Sequence, residues 1–293
     1  MNRMDYCDLH CHSYFSDGSC SPEALVDLAV SADLRALALT DHNAVLGLER
    51  FCRAAEGRIE ACCGCEITTE ADGQELHLLG LFLDPEKMSS VQKVLTEQLE
   101  RKAQSNRQTI ERLAAAGYPV SWAEFEAGAG DGVKNRVHIA RYLMKKGIVS
   151  EVKQAFAGLL APGGGFYQET KKLDFFRMIE MLDEIGAVSV WAHPLFHVNR
   201  EVCEQLLRRA KACGLDGAEV YYSTYSEADT VFMQRMCRQY GLLESGGSDF
   251  HGENKPGLAL GTGYGGLRVP FSCYEGLKAR AEAKRRAREI KRP

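Results

Sequence analysis

The chain has 293 residues, 45% of them hydrophobic and 26% charged, which is ordinary globular usage for one large α/β unit or two medium domains and excludes disorder, collagen and coiled coil. Thirty-six Lys and Arg against forty Asp and Glu give a formal charge of -4, so no global basic field draws in nucleic acid. No apolar run approaches the roughly 18 residues that cross a bilayer, and MNRMDYCDLHCHS lacks the apolar core of a signal peptide, so the sequence predicts a cytoplasmic protein with no membrane partner.

Strand-like and helical runs alternate from the start: MDYCDLHCH as strand, SPEALVDLAVSAD as helix, LRALALTDH as strand, GLERFCRAAEG as helix, then EACCGCEIT and ELHLLGLFLD as strands. Ser21 with Pro22 behind it reads as an N-cap and first-turn pair, followed by Leu25, Leu28 and Ala29 at helical spacing. Residues 88–168 break the rhythm with three helical stretches: a long one ending at Gly117, a short one in WAEFEAGAG, and RVHIARYLMKKG. Alternation resumes with KLDFFRMIEMLDEIG, AVSVWAHP, REVCEQLLRRAKACG, GAEVYYS, SEADTVFMQRMCRQYG and LLESGGSDFH. Met178 and Met181 with Phe175, Ile179 and Leu182 are core by spacing.

About seven αβ units with short links predict an α/β fold with a parallel sheet closed into a barrel; a doubly wound sheet is the alternative, weakened by the lack of GxGxxG after the first strand. The barrel is expected over residues 1–87 and 169–293, with 88–168 inserted as a helical cap over a strand-end site. The C-terminal run with Lys278, Arg280, Lys284, Arg285, Arg286, Arg288, Lys291 and Arg292 reads as a solvated amphipathic helix, interrupted by Glu275, Glu282 and Glu289.

Eleven scattered cysteines do not make the framework of a secreted domain and are expected to be mostly reduced core residues. Cys62 and Cys65 form a lone CxxC inside an apolar run, with no second pair to complete a zinc site. His197 reads as loop decoration.

The chemistry lies at the strand ends. Residues two apart on a strand share a face, so Asp8, His10 and His12 project together. His10 and His12 gain company from Asp17, His42, Glu66, His77, His193, Asp249 and His251, each in or just beyond an apolar segment. Strand ends of a βα barrel converge on one rim. Nine such groups cannot share a buried cleft without cations to offset desolvation and like-charge repulsion. Nitrogen and oxygen donors without thiolate suit Mn, Fe or Zn, and a carboxylate bridging two ions with a shared hydroxide is an arrangement for hydrolysing phosphate esters. Asp41 is read either as a partner orienting His42 or as a capping residue.

The series DLHCHSYFSDGSCSPEALVDLA, ALALTDHNAVLG, CGCEITTE, LHLLGLFLD, VWAHP and GGSDFHG resembles the PHP (polymerase and histidinol phosphatase) family of metal-dependent phosphoesterases. The resemblance implies a distorted (βα)7 barrel with a helical insertion and two or three divalent ions. It implies that His10, His12, Glu66 and Asp249 hold one ion, that Glu66 with His77 and His193 holds a second, and that Asp17, His42 and His251 hold a third. Residues 136–149 and 166–194 further resemble the stand-alone bacterial branch that acts on nucleoside monophosphates or bisphosphates and on the 5′ end of short RNA. Arg136 and His138 match that branch's pattern Arg-x-His-x-Ala-Arg and are read as substrate-binding, with a solvated helix-start Arg and a packed His ring as the alternatives, while Val137 departs from the usual proline. The expected activity is hydrolysis of a phosphomonoester of a nucleotide, with His42 or His251 as candidate acid and Asp249 in the catalytic set. Histidinol-phosphate phosphatase and a metal-binding module without turnover are the alternatives.

Overall fold

Helix starts follow their local chemistry. Ser21 Oγ accepts from Ala24 N at 3.1 Å and Pro22 occupies the first turn, so the helix Pro22–Ser31 begins there. Ser226 and Asp229 likewise form a reciprocal capping box that starts the helix Glu227–Tyr240. In this computed structural model, which describes residues 5–84, 88–128, 134, 136–161, 163, 165–168, 170 and 172–291, the elements run β1 (Tyr6–Asp8), α1 (Pro22–Ser31), β2 (Ala36–Leu39), α2 (Leu48–Ala55), β3 (Glu60–Cys63), β4 (Cys65–Ala71), β5 (Gln74–Leu81), α3 (Met88–Ala115), α4 (Trp122–Gly128), α5 (Arg136–Lys145), α6 (Val152–Ala157), β6 (Leu173–Asp174), α7 (Phe175–Ile185), β7 (Val188–Ala192), α8 (Pro194–His197), α9 (Arg200–Ala212), β8 (Gly217–Tyr222), α10 (Glu227–Tyr240), β9 (Leu243–Gly247), β10 (Val269–Pro270) and α11 (Phe271–Lys291). The chain divides into one unit of Met1–Gln92 with Leu173–Pro293 and a second of Lys93–Lys172.

The first unit is α/β, as its alternating pattern predicts, with strands in two sheets ordered β10-β1-β2-β3 and β6-β4-β5-β7-β8-β9. Not all pairs are parallel. β4 with β5, β5 with β7, and β1 with β10 run antiparallel. The reading of EACCGCEIT as one strand is corrected: it divides at Gly64, where a Cβ would lie 2.9 Å from the Gly80 carbonyl oxygen. The β4–β5 hairpin turns through Asp72 and Gly73, both at positive φ, the conformation a two-residue Asp-Gly turn adopts. Backbone contacts beyond the strand ends link the sheets: Leu9 N donates to Gly246 O at 3.1 Å, and isolated parallel bridges join Cys11 to Phe250 and His42 to Glu66. These links bring strand ends from both sheets together.

Below that end, Cys7, Leu9, Ala36, Ala38, Leu79, Val188, Val190 and Ala192 pack with Val269, Phe271, Tyr274 and Leu277, so α11 closes the core. The C-terminal helix is therefore not simply solvated. Lys284 is buried and donates to the Asp216 carboxylate and to Ala187 O, and Arg280 Nε donates to Asp216 Oδ1 at 2.8 Å. Two cations offset the desolvation of one buried carboxylate. Arg292 lies outside the described residues.

The second unit packs α4, α5 and α6 with the later part of α3 around Ile110, Leu113, Phe125, Ile139, Leu143 and Leu160. The sequence pattern did not single out α6. Cys52 of α2 is paired as a disulfide with Cys63, a pairing the sequence did not announce, while nine cysteines are free. Cys62 and Cys65 are buried thiols pushed up to about 12 by desolvation, which makes them unreactive. Among the described residues no helix is long and apolar enough to cross a membrane.

Candidate metal centre

The site begins where β1 stops. Beyond Asp8 the chain stays close to β9, and Gly247 permits this: a Cβ there would sit 2.4 Å from His10 Cβ and 2.5 Å from His10 N. Asp8 does not join the histidines. Its carboxylate accepts from Ser248 N at 2.9 Å and Gly261 N at 2.7 Å, tying the segment after β9 to β1. Asp41 has a similar role: it accepts from Ser13 N at 2.8 Å and Ser16 Oγ at 2.7 Å, holding the loop after His12 rather than the His42 ring. His193 and Asp249 sit at positive φ, strain that packing around the site sustains.

Glu66 is the centre of the cluster. It is fully buried, and its two oxygens face different imidazoles. Oε2 lies 3.2 Å from His10 Nε2, 3.2 Å from His12 Nε2 and 3.1 Å from His42 Nδ1; Oε1 lies 2.7 Å from His77 Nδ1 and 3.0 Å from His193 Nε2. Asp249 Oδ1 is 3.1 Å from His12 Nε2 and 3.7 Å from His10 Nε2. Asp17 Oδ1 is 3.3 Å from His251 Nε2 and 3.9 Å from His42 Nε2. The structure thus gathers all nine residues singled out at the strand ends into one place.

Orphaned buried atoms test whether cations fit. His12 Nδ1 and Nε2, Asp17 Oδ1 and His193 Nδ1 have no hydrogen-bond partner although they are shielded from solvent. His12 Nε2 lies within 3.2 Å of two carboxylate oxygens but does not meet them with hydrogen-bond directionality. Donor atoms of His10, His12, Glu66 and Asp249 lie within 4.8 Å of one another, as do those of His12, Asp17, His42 and His251. Such convergence on shared points, with no sulfur donor, fits divalent ions held by imidazole and carboxylate.

The field in the cluster is steep. Burial opposes charge on His12, but Asp249 and Glu66 outweigh it and raise its pKa to about 9; Glu66 does the same for His77, also to about 9. Burial pushes Glu66 up, yet the surrounding imidazoles of His42, His10 and His77 hold it well below the usual carboxylate range. Desolvation lowers His42 to about 3.

Sequence reasoning missed the residues that orient these groups. Glu219, fully buried on β8, accepts from His10 Nδ1 at 2.9 Å and from His193 N at 2.6 Å, which leaves His10 Nε2 to face Glu66. Tyr222 Oη and Lys255 Nζ donate to Asp249 Oδ2 at 2.9 and 2.7 Å, leaving Oδ1 toward the histidines. His251 Nδ1 donates to Asp249 O at 2.7 Å, which turns its Nε2 toward Asp17. His197 is corrected from loop decoration: it is half-buried beside His77 and His193, and burial pushes its pKa down to about 4. Beside the cluster a cavity of about 320 Å³ is lined by His42, His77, His193, Phe196, Lys255 and Tyr264 among others. Arg136 and His138 belong to α5 in the second unit, where the Arg136 guanidinium lies 4.4 Å from the Phe156 ring centre and 5.0 Å from that of Tyr167.

Known proteins bear on this geometry. A family model described as PHP domain matches residues 8–161. A 5′-3′ exoribonuclease of Haemophilus influenzae is 34% identical over 251 residues, covering 83% of this chain and 89% of that protein. A 3′,5′-nucleoside bisphosphate phosphatase of Chromobacterium violaceum is 30% identical over 268 residues, covering 87% and 90%. A solved structure from Bifidobacterium adolescentis, described as a candidate metal-dependent phosphoesterase, superposes with a TM-score of 0.79 at 26% identity, covering 94% of this chain and 96% of that one.

Proposed function

Since this chain belongs to the PHP domain family and is a metal-dependent hydrolase of phosphate esters, we propose that it cleaves a phosphomonoester of a nucleotide: a nucleoside monophosphate, a 3′,5′-bisphosphate, or the 5′ end of a short RNA. The observation that carries this reading is Glu66, a buried carboxylate whose two oxygens face separate groups of imidazoles. Bound Mn, Fe or Zn ions would supply Lewis acidity toward phosphoryl oxygens and acidify water.

In this reading His10, His12, Glu66 and Asp249 would hold one ion, and Glu66, His77 and His193 a second. Asp17, His42 and His251 would hold a third or, with two ions bound, act on protons. Both imidazoles approach Asp17, which is partly exposed, and once protonated either Nε2 is placed to pass a proton to a leaving alkoxide. Glu219 keeps the His10 tautomer, and Lys255 and Tyr222 keep the Asp249 orientation. Phe196 and Tyr264, 64% and 60% exposed, line the cavity and offer ring faces on which a nucleobase can stack. Arg136 and His138, from the helical block expected at 88–168, are proposed to bind a substrate phosphate, since a planar guanidinium matches a phosphate with two parallel hydrogen bonds.

The test is phosphate release by metal-reconstituted protein from nucleoside 5′-monophosphates, 3′,5′-bisphosphates, 5′-phosphorylated short RNA and a small aryl phosphate. The reading expects a nucleotide to exceed the aryl ester in kcat/KM. Turnover of the aryl ester alone, or of none, contradicts it.

A further inference from the structure

His193 is followed at once by α8, a single turn that Pro194 starts and that ends on His197. That turn carries the His197 ring back to the cluster, with its centre 4.8 Å from the His77 ring centre and 5.2 Å from that of His193. Donor atoms of His77, His193 and His197 lie within 4.8 Å of one another. His197 Nε2 is shielded from solvent and has no hydrogen-bond partner. A shielded imidazole nitrogen without a hydrogen-bond partner costs free energy that a bound ion would offset. His77 and His193 are the two imidazoles that Glu66 Oε1 faces, at 2.7 and 3.0 Å.

We propose that His197 is a fourth protein ligand of the ion held by Glu66 Oε1, His77 and His193. The inference rests on the reading that those three residues hold an ion, and it changes the character of that position. Three imidazoles and one carboxylate form a nitrogen-rich set that favours Zn or Fe over Mn or Mg. This ion is then held more firmly than the one between Asp17, His42 and His251. His197 also fixes the turn carrying Phe196, so occupancy of this position and the shape of the adjoining cavity are linked through α8.

The experiment measures ion retention rather than turnover. Wild-type, His197→Ala and His197→Asn proteins are loaded with zinc, dialysed against graded EDTA and analysed for zinc per folded chain, with circular dichroism to verify folding. In both variants one ion should be lost at EDTA concentrations lower by at least the ~10–100-fold that removal of even an outer partner costs a metal site. The remaining zinc should follow the wild-type curve, and free imidazole should restore retention in the Ala variant. If Ala prevents folding, the Asn variant gives the reading. Wild-type retention in a folded variant overturns the proposal, whether or not KM for a nucleotide changes. A wild-type protein that binds no zinc, manganese or iron overturns the metal reading as well, so the two failures are distinct.

Discussion

Replacing Glu219 with glutamine tests how far the site depends on a residue that touches no substrate. Glu219 accepts two hydrogen bonds through separate oxygens, from His10 Nδ1 at 2.9 Å and His193 N at 2.6 Å, in a fully buried position. A glutamine amide has one acceptor and one donor end. If its oxygen keeps the His193 amide, its NH2 faces His10, whose Nδ1 must then accept. The imidazole proton moves to Nε2, the atom that faces Glu66 and Asp249. If the amide turns over, the NH2 meets the His193 N–H and a buried donor is left unpaired at a cost of about 1–3 kcal/mol. Either way His10 or the start of α8 is compromised. We expect Glu219→Gln to fold, to melt earlier, and to lose about 10–100-fold in metal affinity, equivalent to about 1.4–2.8 kcal/mol. Titration with a competing chelator gives the affinity and calorimetry the melt. Wild-type affinity together with wild-type kcat/KM would refute the tautomer argument.

Three further outcomes follow from the same geometry. Asp17→Asn should remove the ion assigned to Asp17, His42 and His251 and spare the others; unchanged stoichiometry by elemental analysis would refute that allocation. Arg136→Ala should lower kcat/KM for a nucleoside bisphosphate about ten- to a hundredfold, the loss of a charge-assisted contact worth about 1.5–3 kcal/mol, while a small aryl phosphate serves as control; equal losses for both would contradict the proposed phosphate contact. With His12 and His77 raised to about 9 in the ion-free chain, both carry protons at neutral pH, so metal binding must release them and affinity should rise as pH climbs toward 9. Calorimetry in buffers of different ionisation enthalpy reads that release, and heats independent of buffer would contradict it.

The nine clustered residues were legible because each lies in or just past an apolar run, and the convergence of strand ends turns that local signal into one three-dimensional site. What orients them was less legible. Glu219 sits inside AEVYY, where it passes for an ordinary strand residue, and its partner His10 lies 209 residues away. Lys255 and Tyr222 have the same problem, since a lone lysine in a loop and a tyrosine in a strand announce nothing until the fold places them on Asp249. His197 reads as loop decoration because one turn of helix after a proline has no periodicity to show. The antiparallel hairpin, by contrast, has a local signal in Asp72-Gly73 between two strand-like runs, which the strand-helix alternation elsewhere in the chain masks. Lys284 shows the limit of charge patterning: a basic run reads as solvated unless a buried acid such as Asp216 waits elsewhere in the chain.

The central claim is that Glu66 couples ion binding to hydrolysis through its two oxygens. The most direct measurement is metal content per chain and phosphate release on the same preparations of wild-type protein and Glu66→Gln. The account predicts two or three ions and metal-dependent turnover for the wild type. For Glu66→Gln it predicts fewer ions and no turnover, with circular dichroism unchanged. A glutamine variant that keeps its full complement of metal and near-normal turnover would contradict it.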